Sequence, residues 1–162
     1  MKKALFLDRD GVINIDKNYV HKISDFEFVD GIFDLCKYYQ DRGYLIFVIT
    51  NQAGIARGYY DHNDFALLTS WMTGQFKQND ILISKVYYCP HHPGFDKECD
   101  CRKPNPGMIF QAQKEFDVDL ANSVLIGDKE SDLQAGKNAG IQNLILVAAN
   151  QSLSAILTAT IK

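Results

Sequence analysis

Short apolar runs recur along the chain at residues 4–7, 44–50, 85–89, 123–128 and 143–147, each ended abruptly by charged or turn-forming residues. Runs of this kind read as strands covered on both faces, as in a parallel sheet. Between them the period changes. Residues 30–42 place Ile32, Phe33, Leu35, Cys36 and Tyr39 on one stripe before a stop at Gly43, which predicts a helix. Further helices are predicted over about 61–77 with Asp61 as N-cap, from Asn105 to about 116 with Pro106 in the first helical position, and over about 130–138 before Gly140. A short helix closes the chain. This alternation predicts an α/β fold, a doubly wound parallel sheet of Rossmann-like form with strand order 3-2-1-4-5.

No repeat, low-complexity stretch or linker divides the chain, so residues 1–162 read as one domain able to bury a core. The connection at 12–28, carrying Asp16, Lys17, Asn18, Tyr19 and His21, is long, and long connections in compact domains are usually functional. Composition narrows the partners. Seventeen Lys and Arg against 20 Asp and Glu give a formal net charge of -3, which argues against a broad nucleic-acid surface but leaves room for a local cationic pocket. The apolar stretch after Met1–Lys3 is too short for a signal peptide or a membrane span. A cytoplasmic monomer with no membrane or nucleic-acid partner is expected.

Cysteine placement adds a second theme. Cys36 sits alone on the apolar stripe and reads as a small core residue. Cys89, Cys99 and Cys101 cluster with His91 and His92, and in a cytosolic chain such a group points to metal rather than disulfides. Cys89-x-His91 and Cys99-x-Cys101 supply three thiolates and one imidazole, a closed tetrahedral set for structural Zn²⁺. His92 is not needed for it. The zinc would pin a loop over about 89–101 and place Arg102 and Lys103 directly after the last ligand.

The chemistry concentrates at strand ends. Asp8 and Asp10 follow the first strand and, two residues apart on extended backbone, address the same side, with Gly11 turning the chain away. Thr50 ends the second strand and Asp128 the fourth, so in the predicted order all three ends meet at one switch point. Two carboxylates facing one cavity repel each other and need a cation. Oxygen ligands favour Mg²⁺, and such a site suits phosphoryl transfer. Alone, Thr50 would pass as a strand-end cap and Lys103 as a solvated charge.

FLDRDGVI, VITNQ, CRKPNPGM and LIGDKESD, in that order and spacing, resemble the four motifs of the haloacid dehalogenase-type phosphatases. The resemblance implies Asp8 as nucleophile, Asp10 as general acid and then base, and Thr50 and Lys103 as holders of the phosphoryl oxygens. It implies Mg²⁺ on Asp8, the backbone carbonyl of Asp10, and Asp128, with Asp132 behind them. The zinc loop narrows the likeness to the heptose bisphosphate phosphatases and the related histidinol-phosphate phosphatases, which have minimal caps made of loops. TNQAGIARGYY and DKNYVH look like the heptose branch. That implies a small sugar phosphate as partner, met by Asp16, Lys17, Asn18, Tyr19, Thr50, Asn51, Gln52, Ala53, Arg102, Lys103 and Lys129, in the supply of a surface-polysaccharide precursor. The chain departs from the pattern at Val12, where many relatives have threonine, at Ala53 for a common serine, and at Lys17-Asn18 for a common His-Gly. The rival enzyme is a histidinol-phosphate phosphatase. A DNA 3′-phosphatase lacks its basic stripe here, and a binding module on an inactive scaffold would not keep every chemical position filled.

Overall fold

The computed structural model describes residues 1–161, and five strands form one parallel sheet in the order β3-β2-β1-β4-β5. They are β1 Ala4–Leu7, β2 Leu45–Asn51, β3 Lys85–Cys89, β4 Val124–Gly127 and β5 Asn143–Leu146. Five α-helices connect and follow them: α1 Ile32–Asp41, α2 His62–Gln78, α3 Gly107–Phe116, α4 Glu130–Ala139 and α5 Ser154–Ile161. The chain starts in the middle of the sheet, winds outward through β2 and β3, then returns to the other side of β1. That reversal is the switch point the strand pattern predicts.

Alternation along the strands divides the core into two layers. Leu5, Leu7, Ile46, Val48 and Ile126 meet Leu35 and Cys36 of α1 and Leu68, Met72 and Phe76 of α2 on one face. Ala4, Phe6, Phe47, Ile49 and Leu125 meet Met108, Ile109 and Ala112 of α3 and Ala135 and Ala139 of α4 on the other. Every residue of β1 and β4 is buried, which is why their sequences read as unbroken apolar runs. β5, at the edge, is only partly covered.

Helix limits follow local chemistry. Gly43 and Gly140 lie just past α1 and α4 with φ of +85° and +93°, the left-handed conformation that ends a helix at no cost to glycine. Pro106 corrects the sequence expectation by one position. It is the N-cap of α3, its carbonyl accepting the first helical bond from the Phe110 N–H at 3.0 Å. No lid domain is inserted among the described residues. The long segments over 8–31, 52–61 and 90–106 all leave the C-terminal ends of strands, so they gather on one edge of the sheet. None of the described helices is long and apolar enough to cross a membrane.

Asp61 caps α2 reciprocally: its Oδ1 accepts from the Asp64 N–H at 2.8 Å, and Asp64 Oδ2 accepts from the Asp61 N–H at 3.0 Å. Asp61→Ala should therefore cost about 1 kcal/mol and lower Tm by about 2–4 °C for a chain of this size. Thermal denaturation with an unchanged Tm would show that the cap contributes nothing.

Candidate active site

Beyond Leu7 the chain leaves the sheet at Asp8, whose buried Oδ1 accepts from the Arg9 backbone N–H and from Lys103 Nζ, both at 2.9 Å. Lys103 reaches in from the segment before α3. Its ammonium also donates to Asp132 Oδ1 at 2.6 Å and to the Ile49 carbonyl at 2.9 Å. An ammonium has three protons, so all of them are used inside the protein. A phosphoryl oxygen can reach Lys103 only by displacing one of these partners. The standing work of Lys103 is to offset carboxylate charge.

There is more of that charge than one lysine neutralises. Oxygens of Asp8, Asp128 and Asp132 lie within 4.8 Å of one another. Burial pushes Asp8 well above the usual carboxylate range; Lys103 opposes the rise, and Asp132 and Asp128 add to it. Burial likewise raises Asp128, with its hydrogen bond to Asp8 opposing. Burial works against the charge of Lys103, but Asp8 and Asp132 outweigh it and hold its pKa above the ordinary value. Asp128 Oδ1 is buried with no hydrogen-bond partner, and the Asp10 carbonyl accepts no backbone hydrogen bond. An orphaned carboxylate oxygen, a free carbonyl and surplus negative charge suit a hard, oxygen-liganded cation. Asp132 is different. Its Oδ1 is on Lys103 and its Oδ2 accepts the N–H groups of Asp128 and Lys129 at 3.1 Å each, so it orients the turn that carries Asp128. Gly11, at φ +93°, lets that turn close in, since a Cβ there would strike the Asp128 carboxylate.

A cavity of about 520 Å³ opens at this edge of the sheet, lined by Asp10 and by the predicted contacts Asp16, Asn18, Tyr19, Asn51, Gln52, Ala53, Arg102, Lys103 and Lys129. A recess of about 50 Å³ shares Asp10, Asn51, Lys103 and Lys129 with it and adds Asp8 and Asp132. Asn18 and Tyr19 hold φ of +61° and +58°, with Asp16 Oδ1 accepting the Asn18 N–H at 3.0 Å. Such strain is kept where the surroundings fix it, as at ligand clamps. Two predicted residues do not line the cavity. Lys17 turns away toward Glu27 at 3.7 Å, because the left-handed turn after it presents Asn18 and Tyr19 instead. Thr50 is fully buried behind the wall, its Oγ1 accepting from Gln52 Nε2 at 2.9 Å. Asn51 lines the cavity and also clamps the loop, its Oδ1 accepting the Lys103 N–H at 3.0 Å.

Known proteins resemble this chain in sequence and in fold. The HAD-hydrolase-like family profile matches residues 100–160. The D-glycero-α-D-manno-heptose-1,7-bisphosphate 7-phosphatase of Campylobacter jejuni is 60% identical over 145 residues, covering 90% of this chain and 82% of its own length. The chain belongs to the heptose-1,7-bisphosphate 7-phosphatase family. A β-anomer enzyme of that family from Pasteurella multocida is 45% identical, over 95% of this chain and 86% of its own. The D,D-heptose 1,7-bisphosphate phosphatase of B. bronchiseptica, solved with magnesium and phosphate, superposes with a TM-score of 0.84 at 27% identity, covering 98% of this chain and 99% of that one. These family relatives bear out the fold and the heptose branch that the motifs imply.

The cavity is bordered by the cysteine loop. Cys99 Sγ lies 3.2 Å from Cys89 Sγ and 3.3 Å from Cys101 Sγ, and Cys89 and Cys101 are themselves joined as a disulfide. Three sulfurs thus converge, where a disulfide needs two. The predicted four-ligand set is not assembled: His91 stands outside this cluster. Its Nδ1 faces Asp96 Oδ2 at 2.8 Å, and Asp96 is fixed in turn by accepting the N–H groups of His92 and Lys97 at 2.8 and 2.7 Å. The His91 contact, with those backbone bonds, holds the Asp96 carboxyl far below the usual range.

Several residues at the site are not singled out in the sequence, although Arg9, Tyr60 and Ser131 lie within its motifs. Arg9, only 1% exposed, donates through Nη2 to both oxygens of Asp10 at 2.9 and 3.1 Å, and Asn14 Nδ2 donates to Asp10 Oδ1 at 3.0 Å. Tyr60 and Ser131 line the cavity. Asn14 and Tyr60 stand in loops without periodicity, where residue type alone does not tell that they bond Asp10 and Gln52.

The buried charges make a pH-dependent prediction. With its pKa raised, Asp8 keeps its proton to higher pH in the fold than in the unfolded chain. Stability therefore falls as pH rises past the ordinary carboxylate range. Lys103→Met removes the opposing charge and should cost about 3–5 kcal/mol near pH 7. The loss in Tm should shrink toward pH 5, where the carboxyls take up protons. A penalty equal at both pH values would contradict this account of the cluster.

Proposed function

We propose that this chain is a Mg²⁺-dependent phosphatase that removes the 7-phosphate of D-glycero-α-D-manno-heptose 1,7-bisphosphate through an aspartyl-phosphate on Asp8. The observation that carries the chemistry is the cluster at Asp8, a buried carboxylate held by Lys103 beside the unpartnered oxygen of Asp128. Support for the anomer is the higher identity to the C. jejuni enzyme, named for the α-bisphosphate, than to the P. multocida enzyme, named for the β-bisphosphate, 60% against 45%. Support for magnesium is its presence in the B. bronchiseptica structure.

Asp8, the carbonyl of Asp10 and Asp128 would hold Mg²⁺, which when bound offsets the repulsion between a carboxylate nucleophile and an anionic phosphate. The Asp8 carboxylate attacks phosphorus and the bond to the sugar oxygen breaks, that oxygen taking a proton from Asp10. Water then attacks phosphorus and gives a proton to Asp10. The bond to Asp8 breaks, inorganic phosphate leaves and the carboxylate is regenerated. Arg102, whose Nη1 is buried and unpartnered at the cavity, suits the second phosphate, since a guanidinium can hold it in two bonds. Arg102 and Lys129 disfavour the cationic amine of histidinol phosphate.

With the Cys89–Cys101 bond reduced to two thiols, Cys89, Cys99 and Cys101 would bind structural Zn²⁺ as thiolates, with His91 completing the set. A histidine that gives one ring nitrogen to a carboxylate, as His91 does to Asp96, commonly leaves the other for a metal. The zinc loop positions Arg102 and Lys103 and takes no part in bond breaking.

For substrate, kcat/KM should be highest for the α-bisphosphate, lower for the β-anomer, and lowest for histidinol phosphate, and Asp8→Asn should fold normally without turnover. Histidinol phosphate as the best substrate would replace this assignment with its rival. For zinc, elemental analysis of protein purified without chelator should find one tightly held ion per chain. Cys99→Ser should lose it and melt at a lower temperature while keeping Asp8 in place. Protein without zinc at full activity would refute the metal assignment.

A further inference from the structure

Gln52 carries the residue pattern of a substrate contact, and the fold uses it otherwise. Its backbone N–H donates to the Cys89 carbonyl at 2.8 Å, and the residue is only 2% exposed. Its carboxamide nitrogen donates to Asp10 Oδ2 at 3.1 Å and to Thr50 Oγ1 at 2.9 Å. Its oxygen accepts from the Tyr60 hydroxyl. Both amide protons and the amide oxygen are therefore engaged inside the protein, with the amide at the cavity wall.

The orientation of this amide is fixed by chemistry. The amide nitrogen only donates and the amide oxygen only accepts, so the nitrogen faces Asp10 Oδ2 and Thr50 Oγ1 and the oxygen faces the Tyr60 O–H. Burial pushes the Tyr60 phenol up to about 12, Arg9 opposing and Asp10 adding, so its O–H remains a donor. Tyr60 is itself locked. Its ring stacks on His21 with centroids 4.9 Å apart, and it lies against Gly54, where a Cβ would strike it. Because Thr50 Oγ1 accepts the amide, the proton of that hydroxyl points elsewhere, and its other neighbour, the Asn51 carbonyl, is 3.4 Å away.

We propose that Gln52 is a positioning residue for phosphoryl transfer: anchored by Tyr60 and by the buried hydroxyl of Thr50, it sets the carboxylate of Asp10. The inference rests on the reading of Asp10 as proton donor to the leaving oxygen. Arg9 and Asn14 hold Asp10 from its own loop, and Gln52 is the brace from the residue just past β2, the strand that carries Thr50. A donor displaced by about an ångström can lose a hundredfold in rate, so this brace decides whether the proton arrives with bond breaking.

The test uses leaving groups, because a poor one needs the proton and a good one does not. kcat/KM is measured for heptose bisphosphate, which expels an alkoxide, and for dinitrophenyl phosphate. Gln52→Met, matched in size, should lose about tenfold to a hundredfold on the sugar phosphate and less than about threefold on the aryl ester, with KM for the sugar little changed. Tyr60→Phe keeps the ring and its stack and should shift in the same direction by about threefold to tenfold. Equal losses on the two esters, or a raised KM with kcat intact, would overturn the proposal. Should Gln52→Met fail to fold by circular dichroism, Tyr60→Phe decides alone, and a parental ratio between the esters refutes the brace. Asp10→Asn separates the two claims. A loss there that depends on the leaving group, unmatched by the Gln52 and Tyr60 variants, overturns the brace only; a loss there that ignores the leaving group overturns the reading of Asp10 as well.

Discussion

Lys103 enclosed by Asp8, Asp132 and the Ile49 carbonyl is the contact on which the rest of the site depends. One ammonium ties together the end of β1, the end of β2 and the first turn of α4, and it does so from a segment that none of those elements contains. Burying such charges is expensive, and a pair of this kind usually adds little net stability. The two apolar layers on either face of the sheet supply what the charges cost. In return Asp8 is desolvated, fixed in direction and set beside a carboxylate oxygen that has no protein partner. Those are the properties an anionic nucleophile needs before it meets an anionic phosphate.

The loops around that contact each perform one placement. The strained turn at Asn18 and Tyr19 and the amide of Asn51 shape the cavity. The cysteine loop delivers Arg102 and Lys103 to it. Asp132 orients Asp128 through two backbone N–H groups, and Arg9, Asn14 and Gln52 surround Asp10. With no lid domain inserted among the described residues, the cavity is walled by these short segments, whose shapes are fixed by hydrogen bonds rather than by a core of their own.

The sheet was legible because its signal is local: apolar runs of strand length, helical stripes, and Gly43 and Gly140 as stops. The acidic strand ends were legible because parallel sheets place their chemistry at one edge, which makes Asp8, Asp10 and Asp128 meaningful together. What the sequence hid depends on short-range loop geometry that no hydrophobic period announces. Lys17 turns away because Asn18 and Tyr19 adopt left-handed backbone. His91 stands outside the sulfur cluster with its Nδ1 on Asp96. Gln52 becomes internal because Tyr60, in a loop of no periodicity, reaches its carbonyl oxygen. Pro106 shifts by one position because its carbonyl, rather than its ring, starts α3.

The central claim is that phosphate passes through the carboxylate of Asp8, and the intermediate itself can be trapped. Enzyme turning over heptose bisphosphate is quenched in acid, treated with borohydride and digested, and the N-terminal peptide is sequenced by mass spectrometry. An acyl phosphate at Asp8 is reduced to homoserine, so the account predicts homoserine at position 8 in the presence of substrate and aspartate there without it. Reduction at Asp10 or Asp128 instead, or at no residue in an enzyme that is turning over, would contradict it.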